Sequence, residues 1–271
     1  MSHSRLLATL VLTLAVSSRP SLVGAQAPAA QPPTAPPATV TSPGLPQPPP
    51  ATSAPPRQNP TPVVDWAYAK RYQAANAALS PPDASKPRVV FMGDSITQNW
   101  AEQRGSFFEA NGYVGRGISG QTTSQMLLRF HQDVVALKPT VVAILAGTND
   151  VAENTGPMTD DQILANLEAM TEMARAHGIK VVIGSVPPAT YFFWRREIQP
   201  TARIRDLNPK IKAWARAQGF PYADYWTAMS LPDGGTNPAY AEDSVHPNAA
   251  GYAVMEPIVQ AAIAEALGQK R

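Results

Sequence analysis

Val89-Val90-Phe91-Met92-Gly93-Asp94-Ser95-Ile96-Thr97 runs four apolar residues straight into a small polar turn. A short apolar run closed by turn residues reads as a strand buried on both faces, as in parallel sheets. Tyr113 to Ile118, Val141 to Ala146, Val181 to Ser185 and Tyr222 to Trp226 read the same way. Segments of helical period lie between these runs. Leu127, Phe130, Val134 and Leu137 share a face that stops before Pro139. Leu164, Leu167, Met170 and Ala174 share another that ends at Gly178, with Thr159 and Gln162 as its capping box. Ile204, Leu207, Ile211 and Trp214 make a third, where Pro209 predicts a kink or a helix restarting at Asn208. A leading helix from Asp65 to Leu79 and a closing one from Asn248 to Leu267, interrupted at Pro257, complete the set. Such alternation predicts an α/β fold, a three-layer α/β/α sandwich around a five-stranded parallel sheet.

Open parallel sheets bind ligands at the carboxyl ends of their strands. The polar blocks of this chain sit there. Gly93 to Thr97 follows the first strand, and Gly117-Ile118-Ser119-Gly120-Gln121-Thr122 ends the second. Gly147-Thr148-Asn149-Asp150 follows the third, and Asp243-Ser244-Val245-His246-Pro247 follows the fifth. Separate segments are thus expected to converge on one rim.

Upstream, residues 1–25 read as a secretory signal peptide: Arg5, an apolar core from Leu6 to Val16, then small residues at Val23-Gly24-Ala25. That core is too short to span a bilayer, so no stable membrane insertion is expected. Residues 26–62 read as a disordered, proline-rich linker that cannot bury a core, with 14 prolines between positions 27 and 62. Residues 63–271 remain for one catalytic domain with a sizeable core. Loss of Arg5 and Arg19 with the signal would take the formal charge from +2 to zero, which removes any basic signature of nucleic-acid binding. The absence of cysteine excludes disulfides, thiolate metal sites, a cysteine nucleophile and a lipidated cysteine.

Taken in order, GDSIT, GISGQTT, GTND and DSVHP closely resemble the blocks of the SGNH/GDSL hydrolases, a serine esterase and lipase family, over roughly residues 87 to 268. GDSIT followed by Trp100, together with GISGQTT, is similar to the members related to platelet-activating-factor acetylhydrolase. The resemblance implies the flavodoxin-like SGNH hydrolase fold, no cofactor and no metal. It makes Ser95 the nucleophile, His246 the general base and Asp243 its orienting acid, with Ser95, Gly120 and Asn149 as oxyanion-hole donors. Residue chemistry agrees with these roles. A serine hydroxyl needs a base to take its proton, and an imidazole titrating near neutrality suits that task. His131 and His177 fall in or at the ends of amphipathic helices and read as solvated surface residues. Asp94 and Asp150 have no ligand cluster around them and read as capping or loop residues.

No insertion large enough for a lid domain separates the blocks, so the site is expected to be open and shallow. The aromatic and basic loop after the fourth strand, Pro187 to Arg196, supplies Tyr191, Phe192, Trp194 and Arg195 as candidate substrate contacts. An exported enzyme of this kind is expected to remove small acyl groups, acetyl foremost, from a small-molecule or glycan ester. Lysophospholipase or arylesterase activity is the alternative within the family. A carbohydrate-binding module without catalysis is the alternative outside it. Oligomeric state leaves no signature in the sequence.

Overall fold

The computed structural model describes residues 65–83 and 85–269, so the expected signal peptide and linker lie outside the described residues. A short helix α1 (Gln73–Ala77) precedes β1 (Val89–Gly93), α2 (Ser95–Gln103), α3 (Gly105–Asn111) and β2 (Tyr113–Gly117). There follow α4 (Thr123–Asp133), a 3-10 turn at Val135–Leu137, β3 (Val141–Leu145), α5 (Thr148–Val151), α6 (Asp160–Ala176) and β4 (Lys180–Gly184). The chain closes with α7 (Pro200–Ala217), β5 (Tyr222–Ala223), α8 (Tyr225–Met229) and α9 (Ala249–Leu267).

The strands form one parallel sheet in the order β2-β1-β3-β4-β5, the flavodoxin-like order. Connections leave β1 in opposite directions, which places the topological switch point between β1 and β3. Val89 pairs with both Tyr113 and Val141, and Gly93 with both Gly117 and Leu145. The three strands therefore end at one level, and the loops that follow them start side by side.

Alternation along each strand divides the core into two layers. Val90, Met92, Val142, Ile144, Val181 and Ile183 pack with α4, α6 and α7 through Phe130, Leu167 and Ile211. Val89, Phe91, Val141, Ala143, Leu145 and Val182 pack with α2, α3, α8 and α9 through Trp100, Phe108, Tyr225 and Met255. Full burial of each large apolar side chain stabilises by about 1.5–3 kcal/mol, so both layers are needed to hold the sheet. Trp100 is part of the second layer, stacked on Tyr252 at 5.5 Å. The Tyr252 hydroxyl donates to the Ile96 carbonyl at 2.9 Å, fixing α9 to the start of α2.

Some expected elements differ. Only Gln73–Ala77 of the leading segment is helical. Its upstream carbonyls are taken by side chains of the neighbouring helix region: Gln125 donates to Trp66, Gln121 to Ala67 and Gln132 to Ala69. Tyr68 meanwhile adopts a φ of 50°, which ends any helix there. The run Tyr222 to Trp226 is a strand for two residues only, because Asp224 caps α8 by accepting from the Thr227 N–H at 3.2 Å. Helix α7 continues through Pro209, and α9 through Pro257. Each proline removes one backbone donor, and the bonds on either side keep the helix running. The face ending at Leu137 is split, since α4 stops at Asp133 and Leu137 lies in the 3-10 turn. The capping box of Thr159 and Gln162 is formed as expected.

Candidate active site

β1 delivers Gly93 to the sheet edge, and Asp94 turns the chain by capping α2: its carboxylate accepts from the Ile96 N–H at 2.9 Å. Ser95 is thereby the first residue of α2. Its backbone N–H has no carbonyl four residues back within the helix, so it is free to serve a ligand. The Ser95 hydroxyl lies 2.9 Å from His246 Nε2, and His246 Nδ1 lies 2.7 Å from Asp243 Oδ2. A donor at Nδ1 facing the carboxylate leaves the Nε2 lone pair toward the serine. The other carboxylate oxygen of Asp243 accepts from the Val245 and His246 N–H groups at 2.9 and 2.7 Å. Partial burial pushes the Asp243 carboxyl up, but these hydrogen bonds outweigh it and hold the group below its ordinary value.

Between Asp243 and Val245, Ser244 adopts a φ of 74°, a strained conformation for a residue with a side chain. The hydroxyl of this buried residue accepts the Thr190 and Tyr191 N–H groups at 2.8 and 3.1 Å. It ties the aromatic loop to the Asp243–His246 turn. Phe193 and Trp194 consequently stand beside the imidazole, with ring centroids 6.2 and 6.3 Å from it.

Across from His246 lie Gly120 and Asn149. Gly120 has a φ of 77°, which only a residue without Cβ adopts freely. Asn149 is buried at the start of α5, just past the switch point, and its amide nitrogen lies 3.0 Å from the Gln121 carbonyl and 3.2 Å from Asp94 Oδ2. Below them, the fully buried guanidinium of Arg129 donates to the Gly93 and Arg116 carbonyls at 2.9 and 2.8 Å, to the Gln121 side chain, and to Asp133 at 3.1 Å. One side chain thus braces the ends of β1 and β2 and the loop that carries Gly120. The resulting pocket, about 230 Å³, is lined by Ser95, Ser119, Gly120, Asn149, Asn154, Phe193, Trp194 and His246.

Residues 91–254, more than half of the chain, match the GDSL-like lipase/acylhydrolase family. The chain belongs to that family. Among solved structures, this GDSL-like acylhydrolase is similar to a GDSL-like lipase from Bacteroides thetaiotaomicron, at 48% identity and a TM-score of 0.72, covering 74% of this chain and 98% of that one. It is also 39% identical to the lipoprotein YqeF of Bacillus subtilis over 140 residues, which span 45% of this chain and 58% of that relative. An acetylxylan esterase of Geobacillus stearothermophilus is 27% identical over 199 residues, 63% of this chain and 91% of the relative.

Of the aromatic and basic residues expected at substrate, only Trp194 lines the pocket of this family member. Phe192 is fully buried, with Trp194 5.0 Å away, and belongs to the core. Arg195 is taken up by Glu197 at 2.7 Å and the Glu153 carbonyl at 3.1 Å. Tyr191 stands outside the lining, with the Arg196 guanidinium 5.9 Å from its ring. Phe193, Asn154 and Ser119 line the pocket and were not among the expected contacts. Alternation along an aromatic run would have offered Phe193 in place of Phe192, but no pattern distinguished the two phases. Asn154, five residues past Asn149, carries no sequence signal.

Burial pushes Asp94 up to about 7 and Asp150 up to about 6, each against the hydrogen bonds it accepts. Asp150 accepts from the backbone and hydroxyl of Thr123 and so holds the start of α4. Among the described residues no group of three or more His, Asp or Glu side chains could hold a metal ion. His131 and His177 are exposed, as expected, and remote from the pocket lining. A larger groove of about 900 Å³ between β5 and α9 contains Asp224 and Glu265 but no nucleophile or base pair. No described helix is long and apolar enough to cross a membrane.

Proposed function

We propose that this acylhydrolase is an exported serine esterase that removes short acyl groups, acetyl foremost, from a carbohydrate ester. The observation that carries the reading is the unbroken line of contacts from Asp243 through His246 to Ser95, opening on a small pocket. In this mechanism Ser95 Oγ attacks the ester carbonyl while His246 Nε2 takes its proton. The negative charge on the carbonyl oxygen is met by the N–H groups of Ser95 and Gly120 and by the Asn149 amide. His246 then gives its proton to the departing alcohol oxygen, leaving an acyl group on Ser95. Water attacks that acyl group with His246 again as base, and the carboxylic acid leaves as Ser95 regains its proton.

Pocket volume supports the acyl preference, since 230 Å³ lies below the 300–1,000 Å³ typical of sites for larger ligands. The exposed Phe193 ring at the mouth suits the face of a sugar. The likeness to an acetylxylan esterase points the same way. Export, by the signal at residues 1–25 and the linker at 26–62, is part of the proposal, with residues 63–271 as the catalytic domain. Hydrolysis of p-nitrophenyl esters from acetate to laurate, beside Ser95→Ala and His246→Ala and followed by acetylated xylo-oligosaccharides, tests it. Fast acetate turnover abolished by both substitutions is expected. Activity surviving Ser95→Ala would overturn the mechanism, and fastest turnover of laurate would overturn the acyl preference.

A further inference from the structure

An amide side chain presents a donor at one end and an acceptor at the other, so the role given to Asn149 depends on which way its amide is turned. The surrounding bonds decide this. The indole Nε1–H of Trp194 can only donate, and it lies 2.8 Å from Asn154 Oδ1. That contact turns the NH₂ end of Asn154 toward the Gly120 carbonyl at 3.0 Å and Asn149 Oδ1 at 2.9 Å. With its oxygen occupied, Asn149 must direct its own NH₂ the other way, toward the Gln121 carbonyl and Asp94 Oδ2. Reversing either amide would set donor against donor and leave buried polar groups unpaired.

We propose that Asn154 is a positioning residue for the oxyanion hole and that Trp194, through its indole N–H, sets the polarity of the whole relay. The inference rests on the esterase reading above. It also joins substrate wall and charge-stabilising donors into one unit. Trp194 lines the pocket, so an acyl chain that pushes it aside breaks the bond that orients Asn154, and through it Gly120 and Asn149. Selection for acyl size then enters kcat as well as KM.

Asn154→Asp, Asn154→Ala, Trp194→Phe and the double variant Asn154→Ala/Trp194→Phe test this on the full chain, with p-nitrophenyl acetate as substrate. Active sites are counted with a fluorophosphonate, and Ser95→Ala is the control. Asn154→Asp keeps the acceptor for Trp194 but loses both donors. A misdirected oxyanion donor falls short of a deleted one, so kcat per active site is expected to drop about 10–100-fold with KM within about threefold. Trp194→Phe keeps an aromatic ring in the wall while removing the N–H and shrinking the ring; its kcat per active site is expected to fall about three- to tenfold. Because the two residues act in series, the double variant is expected within about twofold of Asn154→Ala alone. A merely structural role would lower thermal stability and the number of active sites while leaving kcat per site unchanged. That result, a loss confined to KM, or additive losses in the double variant would overturn the inference. If Asn154→Asp does not fold, Trp194→Phe decides by the same criteria. Full activity in Ser95→Ala would sink the esterase reading itself. An inactive Ser95→Ala beside fully active Asn154 variants would sink this inference alone.

Discussion

Replacing Arg129 by Met tests whether one buried cation holds the rim together. Methionine fills much of the same volume but donates nothing. It would orphan the Gln121 side-chain oxygen, take a bond from the Arg116 carbonyl and from the Gly93 carbonyl, which keeps the Ile118 N–H at 3.0 Å, and strip Asp133 of its ion partner, leaving that carboxylate the Asn76 amide at 2.8 Å. Removing one member of a buried pair costs about 3–5 kcal/mol, and each unsatisfied buried acceptor about 1–3 kcal/mol. These losses overlap, since the same relaxation eases both, and the net expected is about 5 kcal/mol. For a domain of this size that corresponds to a melting temperature lower by about 10–20 °C. Urea unfolding at neutral pH is the assay, with Arg129→Met/Asp133→Leu as the companion. Removing both charges should recover about 2–3 kcal/mol, since an apolar pair replaces an uncompensated charge. Arg129→Met within about 1 kcal/mol of the parent would refute the reasoning.

Three further outcomes follow from the site. Asp94 has its folded pKa raised above the ordinary value, so its contribution favours folding fully below about pH 4 and is lost as pH rises through about 7, an effect on the order of 4 kcal/mol. Unfolding free energies measured from pH 4 to 8 should fall with pH, and Asp94→Asn should flatten the curve; an unchanged slope would count against the burial argument. Ser244→Gly relieves the positive φ but drops the acceptor of two N–H groups, whereas Ser244→Ala drops the acceptor and keeps the strain. The glycine variant should unfold at least about 1 kcal/mol less readily than the alanine one, and both should raise KM through a loosened aromatic loop; equal stabilities would remove the strain from the account. Phe192→Ala should cost about 3–5 kcal/mol of stability, while Phe193→Ala should leave stability within about 1 kcal/mol and raise KM; the reverse pattern in thermal melts and ester kinetics would mean their facings are exchanged.

Sheet strands and the blocks that follow β1, β2 and β3 were legible because both signals are local, whereas the Asp243–Pro247 block, expected at the end of the fifth strand, is separated from β5 by α8 and a loop. Val89 to Met92 is apolar throughout, as a central parallel strand requires, and the turn residues after it mark where the chain leaves the sheet. Where local patterns compete, reading fails. Tyr222 to Trp226 looks like one strand, yet Asp224 in its middle is a helix cap, and the cap wins. Asp65 to Leu79 has helical spacing, but three glutamine side chains from a distant part of the sequence take its carbonyls. Arg129 was hidden for the same reason: on an amphipathic helix an arginine reads as solvated, and only the carbonyls that gather around it in three dimensions make burial tolerable. His246 was nameable because histidine is scarce, with four in the chain, and Ser95 and Asp243 because their motifs are distinct. Asn154 was not, since its value lies wholly in what surrounds it.

The fastening of α9 to α2 carries a consequence in time. Ser95 and His246 stand 151 residues apart in the chain, Ile96 and Tyr252 156 apart, and Arg104 and Glu256 152 apart. Chains are synthesised at about 5–20 residues per second, so roughly 8–30 seconds pass between the appearance of Ser95 and that of His246. Throughout that interval the Ser95 hydroxyl has no imidazole beside it. On the mechanism proposed above, a nascent chain is therefore harmless to the esters around it and gains its activity only when its closing helix docks.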